Sequence, residues 1–113
     1  MVIKNLTKNT VLAREVTFAL TFSQRLMGLL GAKKMPKNSA LVIKPCCSVH
    51  TFFMNFTIDV IFLDKHNKIL KTFSSIKPFR ATPIYFNSIL VIELPAGTIE
   101  STATFQGDNL AIE

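Results

Sequence analysis

The stretch TIDVIFLDKHNKILKTFSSI, residues 57–76, decides the fold that this sequence predicts. It contains two runs rich in β-branched and aromatic residues, TIDVIFLD and ILKTFSSI, separated by the polar segment KHNK. Two such runs joined by a short polar turn are typical of a β-hairpin. The first run is apolar at nearly every position from Ile58 to Leu63, so we expect both faces of this strand to be covered.

Further short strands are predicted on both sides of this hairpin. Before it, MVIKNL and VLAREVTFAL flank the turn TKNT as a second hairpin, ALVIKP is a short strand, and SVHTFFMNF has a strand-like composition. After it, KPFRATPIYFNS is irregular, ILVIELP is a strand ended by Pro95, and AGTIESTATFQGD has room for a helical turn before NLAIE closes the chain. The pattern predicts a mainly β fold, a small antiparallel β-barrel-like domain.

The segment TFSQRLMGLLG, residues 21–31, departs from the strand pattern. Its apolar residues fall at helical spacing, and a T-x-x-Q capping box begins at Thr21. Gly31 stands where a helix C-cap favours positive φ. These signals predict one short α-helix, at about Phe22–Leu30, packed against the outside or one end of the barrel.

Length and composition indicate one hydrophobic core. The chain has 113 residues, of which 49% are hydrophobic and 18% charged. A chain of this size and composition buries enough apolar surface to offset the entropy of ordering, and it is too short for a second core. We therefore expect a single domain over residues 1–113.

The net charge of +6 favours anionic partners such as nucleic acid, a membrane surface or acidic protein patches. The basic residues are scattered, however, with Lys33 and Lys34 as the only adjacent pair and only three arginines in all. Specific nucleic-acid recognition uses clustered cations and base-reading arginines. We therefore expect a solvated basic surface without a specific nucleic-acid site.

No apolar stretch reaches the ~18 residues of a membrane span. The first sixteen residues are interrupted by charged side chains, so they lack the apolar centre of a signal peptide. We expect a cytoplasmic protein in which Cys46 and Cys47 are reduced.

Cys46, His50 and Met54 form a set of soft ligands suited to zinc or copper. They are spaced four residues apart, and in a strand that spacing corresponds to about 13 Å, too far for one shared metal. Adjacent cysteines in an extended segment also point to opposite faces, although a contact of Cys47 with His66 stays open. We expect apolar packing here, and no metal or other cofactor.

Two carboxylates, Asp59 and Glu93, lie inside apolar strands, where an ionised group is costly unless it is paired or hydrogen-bonded. In one interpretation they tie loops to the barrel, with Asp59 accepting hydrogen bonds from loop N–H groups or pairing with a cation such as Arg80. In the other, both join His50 and Arg80 to line one mouth of the barrel as a polar pocket for a ligand or peptide. His50 precedes a long apolar run and is expected near the rim.

Five motifs occur in order along nearly the whole chain: QRLMGLLG, CCSVHTFFMNFTIDVIFLD, IKPFR, VIELPAG and QGD. Together they resemble those of the family known as domain of unknown function 192. The resemblance implies a small β-barrel-like domain of bacteria and archaea with no established biochemical activity.

Two classes of function are compatible with these residues. The first is a noncatalytic module that binds an unknown small ligand or a protein. The alternative is a small enzyme or metal-handling protein that uses His50 with Asp59 or with Cys46 or Cys47. The sequence contains no paired-carboxylate, Ser-His-Asp, phosphate-loop or zinc-finger spacing, which favours the binding module. The oligomeric state is open.

Overall fold

The computed structural model describes residues 1–19, 35–52 and 54–113. This part of the chain forms eight strands and one four-residue helix, which confirms the mainly β class. The predicted helix at Phe22–Leu30 lies outside the described residues. The elements are β1 (Ile3–Asn5), β2 (Thr10–Ala13), β3 (Glu15–Ala19), β4 (Ser39–Ile43), β5 (Ile58–Leu63), β6 (Ile69–Ile76), β7 (Leu90–Pro95), α1 (Thr98–Ser101) and β8 (Leu110–Ile112).

The strands form two sheets. A five-stranded sheet has the order β3-β4-β7-β5-β6, and a three-stranded sheet has the order β2-β1-β8. Both predicted hairpins, β1 with β2 and β5 with β6, are confirmed as antiparallel pairs. The named strand pairs are antiparallel, as the mainly antiparallel pattern predicted, except β3 and β4, which pair in parallel. The long connection between them, residues 20–38, allows the crossover that a parallel pair requires.

The predicted strand VLAREVTFAL is divided between the two sheets. β2 ends at Ala13 and β3 begins at Glu15, so the chain leaves one sheet and enters the other at Arg14. The N–H groups of Arg14 and Glu15 both donate to the carbonyl oxygen of Asn38, at 2.8 and 2.9 Å. This carbonyl satisfies both backbone donors where the strand breaks.

The central strands β5 and β7 are buried on both faces. Every residue of β5 is buried, as its continuous apolar run predicted. One face packs against the small sheet and α1 in a first core cluster that includes Ile3, Ile61, Ile92 and Ile99. The opposite face forms a second cluster with residues from the loop before β5. The large sheet is therefore the middle layer between the small sheet and a layer of loops.

The segment SVHTFFMNF, residues 48–56, does not form the predicted strand. In its described part the only bridge outside the named strands joins His50 to Ala81. Val49, Met54 and Phe56 are buried in the second core cluster as loop residues. These residues are apolar because they are buried against the sheet, and this apolar composition is what led to the prediction of a strand.

Candidate functional site

Two irregular segments, residues 46–52 and 79–89, run side by side against one face of the large sheet, and we call them the paired loops. Backbone hydrogen bonds join them along their length. Cys46 donates to the carbonyl of Ile89 at 3.1 Å, and Tyr85 donates to Cys47 at 2.8 Å. Further along, Thr82 donates to Val49 at 2.9 Å. The aromatic ring of Tyr85 lies 4.9 Å from that of Phe62 in β5, which fixes the paired loops on the sheet.

The buried side chain of Thr51 fixes the start of the second loop. Its hydroxyl donates to the carbonyl oxygen of Lys77 at 2.7 Å and accepts from the N–H of Arg80 at 2.9 Å. The backbone of Thr51 also donates to the carbonyl of Arg80 and accepts from the N–H of Phe79. One threonine thus sets the path of residues 77–80 and the position of the Arg80 backbone.

A cleft of about 300 Å³ lies between the C-terminal half of β6 and residues 80–82, and we call it the β6 cleft. Two exposed cations, Lys77 and Arg80, lie along it. Among the described residues that line it there is no carboxylate. The lining consists of Phe73, Ser74, Ser75, Ile76, Lys77, Arg80, Ala81 and Thr82.

Ser75, which lines this cleft, and Phe79, which precedes Arg80, have left-handed backbone conformations that non-glycine residues rarely adopt. Ser75 has a φ of 58° and Phe79 a φ of 62°. Such a φ is unfavourable for a bulky side chain, and it persists only where the surroundings impose it. For Ser75 the surroundings include a carboxylate, and for Phe79 they include the hydrogen bond to Thr51. Strained backbone of this kind is concentrated at binding and catalytic sites.

Asp59 imposes the conformation of Ser75 from behind the cleft. It is fully buried in β5, and its Oδ1 accepts the N–H of Ser75 at 2.8 Å. Its Oδ2 accepts the N–H groups of Gly97 and Ile99 at 3.1 and 2.9 Å. The expectation that Asp59 accepts hydrogen bonds from backbone N–H groups is confirmed. The alternative, an ion pair with Arg80, is not the arrangement found.

Glu93 lies on the opposite face of the sheet from Asp59. In the register of β5 and β7, Asp59 is paired with Leu94 and Glu93 is paired with Val60. Neighbouring positions of a strand point to opposite faces, so the two carboxylates are directed into different core layers. They therefore do not line one pocket. The sequence did not reveal this, because the alternation within each strand does not show how the two strands are aligned.

His50 and Arg80 are brought together by the paired loops. His50 forms a β-bridge with Ala81, next to Arg80, and its ring stacks on Phe52 at 5.1 Å between centroids. His50 is half-buried, as expected for a residue at the rim, whereas Arg80 is exposed. Of the four residues predicted to form a polar pocket, these two lie on adjacent segments of the paired loops. A role in binding stays a prediction for each of the four.

The sequence argument against a metal shared by Cys46, His50 and Met54 assumed a strand, in which they would lie about 13 Å apart. That distance does not apply, because the described part of this segment is irregular. Both cysteines are half-buried and free of disulfides, and Cys46 Sγ lies 3.1 Å from the carbonyl oxygen of Ser48. Across the described ranges, no group of three or more histidine, cysteine, aspartate or glutamate side chains is arranged to hold a metal ion. No helix in that part of the chain is long and apolar enough to cross a membrane.

Sequence reasoning identified Arg80 but missed Lys77, Ser75 and Thr51. A serine in a left-handed conformation has no reliable signal, because asparagine and glycine are the residues that indicate such positions. Lys77 had a usable signal. The run KPFR places two cations around a proline between two regular segments, which is a loop pattern.

The sequence and fold have relatives among known proteins. The UPF0127 protein PF1050 of Pyrococcus furiosus is 34% identical over 111 residues, which cover 94% of this chain and 93% of that protein. The UPF0127 protein PH1112 of Pyrococcus horikoshii is also 34% identical, over 113 residues that cover 96% of both chains. In both comparisons the match covers more than nine-tenths of each chain.

Two crystal structures share the fold. A protein of unknown function from Novosphingobium aromaticivorans superposes with a TM-score of 0.81 at 15% identity, over 98% of this chain and 82% of that one. A structure from Sinorhizobium meliloti gives a TM-score of 0.77 at 19% identity, over 97% and 89% of the two chains. At these identities the likeness concerns the fold alone.

The family suggested by the sequence motifs is confirmed by a match over residues 3–112 to DUF192, described as uncharacterised ACR. The match covers both sheets, the paired loops and the β6 cleft. Because it extends over nearly the whole chain and agrees with the archaeal relatives, this protein belongs to the DUF192 family.

Proposed function

We propose that the protein is a noncatalytic binding module and that the β6 cleft receives a small organic anion. The observation that carries this proposal is the chemistry of the lining, which supplies cations and hydroxyl groups and no carboxylate among the described residues. Lys77 and Arg80 offer ammonium and guanidinium donors, and Ser74 and Ser75 offer hydroxyls. Charge-assisted hydrogen bonds of this kind are the strongest contacts that a protein makes with carboxylates and phosphates.

The size and the apolar part of the lining limit the ligand further. A volume of about 300 Å³ is at the lower end of the range for small-molecule sites. Phe73 and Ile76 supply apolar surface beside the cations. A ligand with one acidic group and a small apolar or aromatic body fits this combination better than an inorganic ion does.

The buried carboxylate of Asp59 lies behind Ser75, where its charge opposes an anion in the cleft. Three backbone N–H groups are directed at its two oxygens, and these donors offset that charge. We therefore propose a structural role for Asp59, and the same for Glu93 on the other face of the sheet.

Arg80 is the proposed anion contact. His50 is proposed to lie at the rim of the cleft, because its backbone bridges to Ala81 in the cleft lining.

Calorimetric titration at low ionic strength tests this function. Benzoate and inorganic phosphate serve as anionic probes, and benzamide serves as an uncharged analogue of benzoate with a similar size and shape. We expect benzoate to bind and benzamide to bind at least ~10-fold more weakly, because only benzoate makes the charge-assisted contacts. Binding should weaken as salt is added, since both cations are exposed.

Two charge-neutralising variants locate the site. Arg80→Gln and Lys77→Gln should each reduce benzoate affinity by roughly 10-fold, the effect of losing one charge-assisted hydrogen bond. Lys65→Gln is the matched control, because it removes the same charge from the turn at the far end of the β5–β6 hairpin. Equal binding of benzoate and benzamide, an equal effect of Lys65→Gln, or no binding of any probe would refute the proposal.

A further inference from the structure

The paired loops carry an unusual concentration of exposed apolar side chains. Among the described residues, nine large hydrophobic side chains are exposed, and five of them belong to these two segments. Phe86 is 87% exposed and Phe79 is 68% exposed. We call the set the aromatic strip, which consists of Phe52, Phe79, Ile84, Phe86 and Ile89. Large apolar side chains exposed together on adjacent segments are a feature of interaction sites.

The two segments that carry the aromatic strip contain no carboxylate. The sequence contains no carboxylate between Asp64 and Glu93, although that stretch carries five lysines or arginines. The segment that contributes Phe52 has no acidic residue either, from Lys44 through Ile58. The cations nearest in sequence to the exposed aromatic side chains are Lys77 and Arg80, both exposed. The partner of this surface must therefore be apolar and negatively charged.

We infer that the aromatic strip is an attachment surface for an anionic lipid bilayer. A side chain exposed to 87% projects clear of its neighbours, so it can enter a fluid interface that has no shape of its own. A protein partner would instead need a groove that fits these projecting rings closely. Exposed aromatic side chains flanked by lysine and arginine match the apolar boundary and the charged headgroups of such a membrane.

A second copy of the chain is a poor occupant of this surface. Two copies would bring together faces that both carry Lys77 and Arg80, in molecules whose net charge is +6 each. Self-repulsion of this kind opposes association. The inference does not depend on a ligand in the β6 cleft, because it is carried by the exposed side chains of the paired loops.

Tryptophan fluorescence gives a direct test, because the chain contains no tryptophan. Phe86→Trp places a single reporter in the aromatic strip. Phe105→Trp is the matched control, since Phe105 is 69% exposed but lies in the loop before β8. The full-length variants are mixed with vesicles of phosphatidylcholine that contain a minority of phosphatidylglycerol, and with vesicles of pure phosphatidylcholine. We expect a blue shift for the Phe86→Trp variant with the anionic vesicles only, and none for Phe105→Trp.

Vesicle co-sedimentation of variants that keep the natural core provides the second measurement. Phe79→Asn combined with Phe86→Ser should lower the partition coefficient onto anionic vesicles by about 10-fold or more, because two aromatic anchors are removed. Asparagine is chosen at position 79 because it tolerates a left-handed φ. Phe105→Ser should leave the partition coefficient unchanged.

Three results would overturn the inference. The first is the absence of a blue shift for Phe86→Trp with anionic vesicles. The second is an equal shift for both reporters, which would mean adsorption without a preferred face. The third is equal binding to neutral and anionic vesicles, which would remove the role of the cations. Thermal melts check that each variant keeps the fold of the natural protein.

Discussion

The carboxylate of Asp59 accepts the backbone N–H of Ser75 at 2.8 Å, and Ser75 has a left-handed φ of 58°. The same carboxylate accepts the N–H groups of Gly97 and Ile99, at the start of α1. One buried side chain therefore joins a bulge in β6 to the turn that follows β7. Gly97 lines a second cleft, of about 380 Å³, so Asp59 lies between two concave surfaces of the molecule.

Replacing Asp59 by alanine should destabilise the fold. The substitution leaves three N–H groups without their acceptor, so we expect the free energy of unfolding to fall by about 1–3 kcal/mol. Asp59→Asn keeps one acceptor oxygen and should lose less. His50→Ala should change stability by no more than ~0.5 kcal/mol, because that residue is at the rim. Thermal melts of the three variants check this, and a large loss for His50→Ala beside none for Asp59→Ala would reverse the two roles.

Replacing Ser75 by glycine should raise stability, although glycine usually lowers it inside a strand. A left-handed φ is unfavourable for serine and unstrained for glycine, so we expect a gain of up to about 1 kcal/mol. Ser74→Gly is the matched control, because Ser74 is exposed like its neighbour and is not left-handed. That variant should lose ~0.5–1 kcal/mol, the ordinary effect of glycine in a strand. Chemical denaturation measures both, and the same sign at the two positions would show that Ser75 is not strained.

The strands were predictable because their apolar pattern is continuous. The β5–β6 hairpin and β7 follow from runs of β-branched and aromatic residues bounded by turn signals. The same signal was misleading at SVHTFFMNF, where Val49 and Phe56 are buried from a loop. A single sequence does not distinguish a buried strand from a buried loop when both must be apolar.

The candidate site was only partly predictable, for a different reason. Whether Asp59 and Glu93 share a face depends on the register between β5 and β7, which is set by the packing of the whole sheet. The β6 cleft depends on backbone conformations at Ser75 and Phe79 that their side chains do not favour. Tertiary contacts impose these conformations, so no local propensity indicates them.

Replacing Thr51 by valine should loosen the second of the paired loops. Valine has the same shape but no hydroxyl, so the carbonyl of Lys77 loses its donor and the N–H of Arg80 loses an acceptor. We expect a loss of about 1–3 kcal/mol and faster hydrogen exchange at the Arg80 amide. Thr51→Ser keeps the hydroxyl and should retain slow exchange. Equal exchange rates in the two variants would mean that the hydroxyl does not hold this loop.

Asp108 should make the stability of the protein depend on pH in the acid range. Burial acts to raise the pKa of this carboxyl, but hydrogen bonds from Asn5, from Lys8 and from the N–H of Phe105 outweigh it and hold the pKa below its usual value. The bond from Lys8 Nζ is 2.8 Å long and is also an ion pair. The unfolded chain therefore takes up this proton at a higher pH than the folded protein does, and acid favours unfolding.

The pH dependence that Asp108 gives to stability has a definite direction. The contribution of Asp108 is complete above its unfolded pKa of about 4 and is lost as the pH falls below that value through the folded pKa. Asp108→Asn should be less stable than the natural protein at neutral pH, and the difference should shrink steadily below about pH 4. Urea denaturation from pH 7 to the acid range measures the two curves, with Glu100→Gln as an exposed control for the change of charge. Curves that stay parallel through the acid range would mean that Asp108 is not the group that couples protonation to the fold.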